Sequence, residues 1–367
     1  MSRTILLPIA LLAARVATQT SSSCNPLNST CPEDPALGFS YNTTYTASTT
    51  ELNPTLWNVT AGAETILFTE TGAEFVISAS GESVTAQSTF YIFWGTVEII
   101  MQAAAGQGII STFNLLSDDL DEIDLEIMGG NDSFVESNWY GWGNTSQYNA
   151  LYHPTDGPAE RLHNYTINWT QKELQWIIDD SVARTVPYAP SGQYPQTPSI
   201  LKLGIWAGGD STEPNGTIEW AGGLTDWSKG PFTMTVQSIK VTDGSTNTSS
   251  YMYGDKTGDF SSIEATSGES TVYKLINKKS TIVSVAKKFN SLSMGAKIGI
   301  ACGVVGALLI ALIAFVVFCM KSRRRGKRER AISDQQWDEN NAELMEYRQK
   351  MARGGFAQSH MGHGEKF

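Results

Sequence analysis

The sequence predicts an all-β fold, an antiparallel β-sandwich over residues 39–244, and three observations predict it. Short runs rich in β-branched and aromatic residues recur between turn residues: EFVIS, STFYIFWGTVEIIM, GIISTFNLL, YTINWT, LQWIID, ILKLGIW and FTMTVQSIKVT. Gly, Ser, Thr, Asn, Trp and Tyr are abundant while charged residues make up 17%, a mix that favours strands and turns over helical bundles. No long helical period interrupts the runs from Phe39 to Val241, a stretch sufficient for one large sandwich core.

The flanking segments follow from the same reading. Arg3, the apolar stretch Ile5–Ala14 and small residues near Ala17 have the layout of a secretory signal peptide, so residues 1–18 are expected to be removed. Residues 19–38 form a loop in which CNPLNSTC brings Cys24 and Cys31 together, and an oxidising compartment would join them. Residues 245–297 are dominated by Ser, Thr, Gly and Lys and predict a mobile stalk. Residues 298–320 carry no charge and suit one membrane-spanning helix of roughly 20 residues. KSRRRGKRER follows at once and orients that span with the sandwich outside. A removed lipid-anchor signal is the rival reading, but such a signal ends in its hydrophobic tail. Here the polar residues 321–367 follow as a cytoplasmic tail, with a short helix expected after an N-cap at Ser333. The sequence does not identify what that tail contacts. Cys319 at the edge of the span reads either as a palmitoylation site or as an inert apolar residue.

Acceptor triplets for N-linked glycans begin at Asn28, Asn42, Asn58, Asn131, Asn144, Asn164, Asn168, Asn215 and Asn247, all before the apolar segment, in agreement with a secreted domain. The net charge of −11 argues against nucleic-acid binding, which needs Lys and Arg against phosphates. His153 and His163 are too few for a His-based zinc site, and no GxGxxG loop is present. No metal and no cofactor are expected.

The chemistry concentrates in DDLDEIDLEIMGG, residues 118–130. Read as a strand, DEIDLEI points Ile123, Leu125 and Ile127 to the core and Glu122, Asp124 and Glu126 to the opposite face. A row of like charges on one face is destabilising, so it is more easily retained with a use. Calcium binding is one use. Glycoside cleavage is the other: one carboxylate attacks while another stays protonated, and crowding drives their pKa values apart. Glu122 and Glu126 have Cα atoms about 13 Å apart on a strand, and their long side chains must lean together to reach the roughly 5 Å separation of a retaining pair.

The E-x-D-x-E run resembles the catalytic motif of glycoside hydrolase family 16. CNPLNSTCP with DPALG, STFYIFWGTVEIIMQAA, LLSDDLDEIDLEIMGG, YHPTD, QYPQTP, KLGIWAGGD, GTIEWAGG and KGPFTM look like the fungal Crh-type cell-wall transglycosylases, from about Cys24 to Val241. The resemblance implies a jelly-roll sandwich and a retaining mechanism. It implies Glu122 as nucleophile, Glu126 as general acid/base and Asp124 as the assisting carboxylate between them. It also implies a chitin-like donor and a β-glucan acceptor, with plain chitin or β-glucan hydrolysis as the alternative. A non-catalytic carbohydrate-binding surface protein is the reading from another class. Leu125 and Ile127 stand where the family carries bulky aromatics, on the side expected to face the core. Aromatic rings stack on the apolar faces of sugars, and Gly-flanked aromatics in SNWYGWGN, GIWAGGD, IEWAGG and TDWSKGPFT suit that role. From the matching motifs Lys202, Trp206, Trp220, Thr233 and Tyr140 are expected to contact sugar.

Overall fold

A computed structural model describes residues 22–146, 149–190, 193–278 and 293–353, so the expected signal peptide lies outside the described residues. The chain divides into two units, residues 1–278 and 279–367.

In the first unit the alternating runs become strands because period-two patterning buries one face of each. Gly95–Gln102 buries Val97, Ile99 and Met101 and turns Thr96, Glu98 and Ile100 outward. One sheet has seven antiparallel strands in the order Leu151–Pro154, Phe134–Tyr140, Glu122–Met128, Ile109–Ser117, Ser199–Ala207, Ser83–Ile92 and Trp57–Ala61. The facing sheet runs Ser181–Pro187, Glu173–Ile178, His163–Trp169, Gly95–Gln102, Phe232–Asp243, Ala73–Ile77 and Ile66–Phe68, with Ser40–Thr44 also paired to Phe232–Asp243. Their inner faces form one hydrophobic core, in which Phe113, Leu125, Leu203 and Ile205 from the first sheet join Tyr165, Trp169, Trp176 and Met234 from the second. This is the predicted sandwich. The Asp179–Asp180 turn, with φ of 47° and 64°, has both central residues in the left-handed region, as a two-residue hairpin requires.

The predicted stalk is corrected over its first part. Thr248–Tyr253 and Ile263–Ser267 form a three-stranded sheet with Asp34–Pro35, and Thr271–Ile276 is a short helix. Tyr251 is fully buried and donates its hydroxyl to Asp243 Oδ1 at 2.7 Å. Ser270 Oγ donates to the Leu37 carbonyl at 2.7 Å, and Val272 enters the core. Gly258, at φ 68°, permits the closest approach: a Cβ there would lie 2.6 Å from Trp142 Nε1 and 2.7 Å from Asp119 Oδ2. Ser- and Thr-rich composition conceals such docking because a few isolated apolar anchors and main-chain pairing suffice for it. Residues 279–292 of the predicted stalk lie outside the described residues, and its last residues, 293–297, are instead the cap and first turn of a helix. At the other end, Cys24 and Cys31 are joined, with Cα atoms 5.8 Å apart.

In the second unit Met294–Ala352 is one helix, N-capped by Ser293, whose Oγ accepts from Ala296 N–H at 3.4 Å. The separate tail helix expected from Ser333 is therefore corrected. Ala, Arg, Lys, Glu, Gln and Met are strong helix formers, and residues 321–333 contain only Gly326 as a weak one. The helix passes through the predicted span 298–320, but the side chains of 297–311 lie outside the described residues. Among the described residues no helix is long and apolar enough to cross a membrane.

Candidate active site

The catalytic run is placed by a tight turn. Leu120 has φ 69°, Asp121 N–H donates to Ser117 Oγ at 2.8 Å, and Ser117 N–H donates to the Asp121 carbonyl at 2.9 Å. Asp121 is fully buried and accepts from Trp142 N–H, Gln196 N–H and Thr197 Oγ1 at 2.9, 2.6 and 2.8 Å. Two segments distant in sequence, at Trp142 and at Gln196–Thr197, are thereby tied to the residue before Glu122. Asp119 accepts from Ser117 Oγ and Thr197 Oγ1 in the same knot. These first acids of the run are structural.

From that turn Glu122–Met128 enters the middle of the seven-stranded sheet. Ile123, Leu125 and Ile127 lie in the core, and Glu122, Asp124 and Glu126 share the opposite face, as the alternation predicts. Trp176 of the facing sheet is fully buried and donates Nε1–H to the Asp124 carbonyl at 2.9 Å, which fixes the centre of the strand. The sheet register then arrays polar partners on the carboxylate face. Asp124 stands between Asn138 and Asn114, and Lys202 lies beyond Asn114. Glu126 stands between Glu136 and Thr112, and Glu122 lies beside Tyr140.

The electrostatics separate the three carboxyls. Glu122 is raised by burial, but a hydrogen bond to Asp124, another from Asn114 Nδ2 at 2.9 Å, and the charge of Lys202 all pull it back down. Asp124 is held well above the usual carboxylate range by burial, by Glu122 and Glu126, and by that same bond to Glu122. A hydrogen bond between two carboxyls requires a proton on one of them, so Glu122 and Asp124 titrate as a pair that shares one. Glu126 is partly exposed, yet burial of its carboxyl, then the charges of Glu136 and Glu122, push it well up. Burial lowers the Lys202 ammonium while Glu122 raises it. Tyr140 is pushed up to about 12, first by burial, and its hydroxyl accepts from Asn138 Nδ2 at 2.9 Å. The arrangement provides two hydrogen-bonded carboxyls that share a proton and a third carboxyl biased toward its protonated form, a set suited to nucleophilic displacement at a sugar with acid assistance.

Lys202, Trp206 and Tyr140 lie on the carboxylate face by register. Trp220, on the short helix Asn215–Trp220, stacks on Trp206 with ring centroids 6.0 Å apart and planes at 23°. Thr233 is not brought there. It sits in the opposite sheet, paired with Val76, on the alternation that faces away from buried Phe232 and Met234. Other Gly-neighbouring aromatics are structural, Trp139 on the core side of its strand and Trp142 and Trp227 beyond strands. Trp139 lies under Arg184, whose Cζ is 4.4 Å from the ring, Trp142 donates Nε1–H to Gly258 O, and Trp227 packs on Phe232. Asn114, Asn138 and Glu136 were not singled out from the sequence. The alternate polar positions of FVESNWY for Glu136 and Asn138, and of IISTFNLLS for Asn114, were the available signal, but only strand pairing carries them to the site. Among the described residues no group of three or more His, Cys, Asp or Glu side chains is arranged to hold a metal ion.

Comparison with known proteins extends this picture. The family model for glycosyl hydrolases family 16 matches residues 53–222. Crh-like protein 2 of Botryotinia fuckeliana is 46% identical over 341 residues, covering 91% of this chain and 74% of its own. Crh-like protein 3 of Aspergillus fumigatus is 44% identical over 350 residues, covering 93% and 94%. Among solved structures, an apo Crh5 transglycosylase aligns with a TM-score of 0.62 and 43% identity over 66% of this chain and 100% of its own. The same enzyme in complex with NAG aligns with the same score and identity.

Proposed function

This chain belongs to the Crh-like proteins of glycosyl hydrolases family 16, the cell-wall transglycosylases, and we propose that it works by retention through Glu122 and Glu126. Ionised Glu122 attacks the anomeric carbon of a bound glycan. Glu126 gives its proton to the departing sugar oxygen as the glycosidic bond breaks, leaving a glycosyl ester on Glu122. A hydroxyl of the acceptor glycan then attacks that carbon, Glu126 takes the hydroxyl proton, and Glu122 leaves as a carboxylate. Protonated Asp124 steadies Glu122 in both steps. The observation that carries this reading is the shared face of Glu122, Asp124 and Glu126, with Asp124 bonded to Glu122 and Glu126 pushed well up by burial and by the charges of Glu136 and Glu122.

The donor is a chitin-like polymer and the acceptor a β-glucan. The NAG held by the 43% identical Crh5 transglycosylase supports the donor. Lys202, Trp206, Trp220 and Tyr140 form the sugar-contacting set, supported by their place on the carboxylate face. The protein is extracellular and acts at the cell wall. Residues 1–18 are a signal peptide, and residues 298–320 are the single anchor that ties the enzyme to the plasma membrane and leaves 321–367 in the cytoplasm. Exposed Leu312, Ile313, Phe315 and Phe318 on the helix, followed by the basic block, support the anchor. The glycosylation triplets are used on the outer side, where Asn28, Asn42, Asn58, Asn131, Asn144, Asn215 and Asn247 are exposed.

The test is incubation of the enzyme with chitin oligosaccharides and a fluorescent β-glucan oligosaccharide, with labelled products followed by mass. Hybrids that vanish in Glu122→Gln and fall about 100- to 10,000-fold in Glu126→Gln support the roles. Shortened chitin without hybrids would assign a hydrolase. Full activity of Glu122→Gln would remove the nucleophile assignment. Extraction of the full chain from membranes by alkaline carbonate would refute the anchor.

A further inference from the structure

Glu136 is a fourth carboxylate at the site, on a different strand from the other three. It is directly opposite Glu126 in the antiparallel register, on the same face, and is 2% exposed. Directly paired strand residues have Cβ atoms about 4.5–5.5 Å apart. Two carboxyls at that range in a buried setting do not both ionise readily. The environment decides which keeps the proton. Burial raises Glu136 too, but its Oε2 accepts from Trp220 Nε1–H at 2.9 Å and Tyr152 also bonds its carboxyl, and both pull it back down. Glu126 is pushed well up by burial, Glu136 and Glu122 together, so of the two Glu136 is the readier to ionise. Trp220 is in turn stacked on Trp206, while Phe134 and Tyr152 meet edge to face at 4.8 Å. The base of Glu136 is thus held by two aromatic pairs.

We propose that Glu136 is a positioning residue for the reaction: its buried carboxylate keeps the proton on Glu126 and holds Trp220 against the sugar-binding face. The inference rests on the reading of Glu126 as general acid/base. The other titratable groups facing Glu126 are Glu122 and Asp124 on its own strand and Tyr140 on the neighbouring one. Lys202 lies across the sheet, while Thr112, its partner on the other flank, does not titrate. Of the charges that raise Glu126, Glu136 contributes most after burial itself. The consequence spans both half-reactions. Before bond cleavage Glu126 retains its proton to a higher pH, so more of the enzyme is competent to protonate the departing oxygen. After that proton has left, the ionised Glu126 faces Glu136 across the strand pair. It is then a stronger base toward the acceptor hydroxyl, and the proton it recovers is the one that hydroxyl loses.

The test uses the full chain in the hybrid-forming assay, with kcat/KM measured against pH. Glu136→Gln removes the charge while its amide oxygen still accepts from Trp220. The expected result is an alkaline limb displaced to lower pH by about one to two units, with thermal stability equal or higher. Trp220→Phe leaves the carboxyl but removes its donor. Glu136 then takes up a proton more readily and repels Glu126 less, so the alkaline limb again moves to lower pH, now with a raised KM. A limb that stays in place in both variants overturns the proposal. Loss of activity in Glu136→Gln with an unchanged limb reassigns Glu136 to packing alone. Glu126→Gln keeps the two ideas apart. If that variant retains full transfer, the acid/base assignment fails. If it is inactive while Glu136→Gln keeps the original limb, only the inference about Glu136 fails.

Discussion

Replacing Tyr251 asks whether residues 248–276 are part of the enzyme. Tyr251 has no exposed surface, meets Phe93 edge to face at 5.6 Å, and donates to Asp243, which also accepts from Gly38 and Phe93 backbone N–H groups. Truncating a buried aromatic to Ala costs about 3–5 kcal/mol. Removing only a hydroxyl that bonds a carboxylate costs about 1.5–3 kcal/mol. At about 2–4 °C per kcal/mol for a unit of this size, Tyr251→Phe should lower Tm by about 3–12 °C and Tyr251→Ala by about 6–20 °C. The penalty also depends on pH. Burial pushes Asp243 up to about 6 from 3.8, against the pull of its donors, of which Gly38 and Tyr251 are the foremost. Between about pH 4 and 6 the folded protein therefore holds a proton that the unfolded chain has released, and the contribution of this group to stability falls as pH rises through that window. Tyr251→Phe removes a donor to the ionised form and raises Asp243 further, so its cost should be larger at pH 7 than at pH 4.5. Urea unfolding of the purified full chain, followed by tryptophan fluorescence at both pH values, measures this. A Tyr251→Ala variant within about 0.5 kcal/mol of the parent would restore the mobile stalk and refute the docking argument.

The remaining expectations address the site and its supports. Trp176→Phe leaves the buried Asp124 carbonyl without its donor and should cost about 1–3 kcal/mol in unfolding free energy, with reduced transfer because the catalytic strand is held there. Lys202→Met removes the charge that helps keep Glu122 ionised; the acidic limb of the activity profile should move up by about one pH unit, and an unmoved limb would disconnect Lys202 from Glu122. Asp34 is pushed up to about 8 by burial and then by Asp118 and Asp119, so its contribution to stability falls as pH rises from about 4 through 8. Asp34→Asn should therefore gain about 1–3 kcal/mol at pH 9 relative to the parent and nothing at pH 4, as read from Tm at the two values. Replacing Cys24 and Cys31 together by Ser opens a loop with a sequence separation of 7 and should cost about 2 kcal/mol, detected as a lower urea midpoint with catalytic constants unchanged.

The sequence by itself determined the sandwich and the three carboxylates. Both are period-two properties of single strands, and Glu122–Met128 carries its core residues and its acids in the same seven positions. It determined the Cys24–Cys31 closure for a similar reason, since the partners lie within one short loop. Only the tertiary structure decided what surrounds that strand. Asn114, Asn138 and Glu136 reach the site through register with neighbouring strands, and Trp220 through a short helix that folds onto Trp206. Thr233 shares the chain's motifs but falls in the opposite sheet, because which sheet a strand joins depends on pairing across long sequence separations. The same cause hid the docking of residues 248–276. Their Ser- and Thr-rich composition reads as a spacer, whereas Asp34–Pro35 offers a strand edge and Asp243 an acceptor, both supplied by parts of the chain that composition cannot bring together.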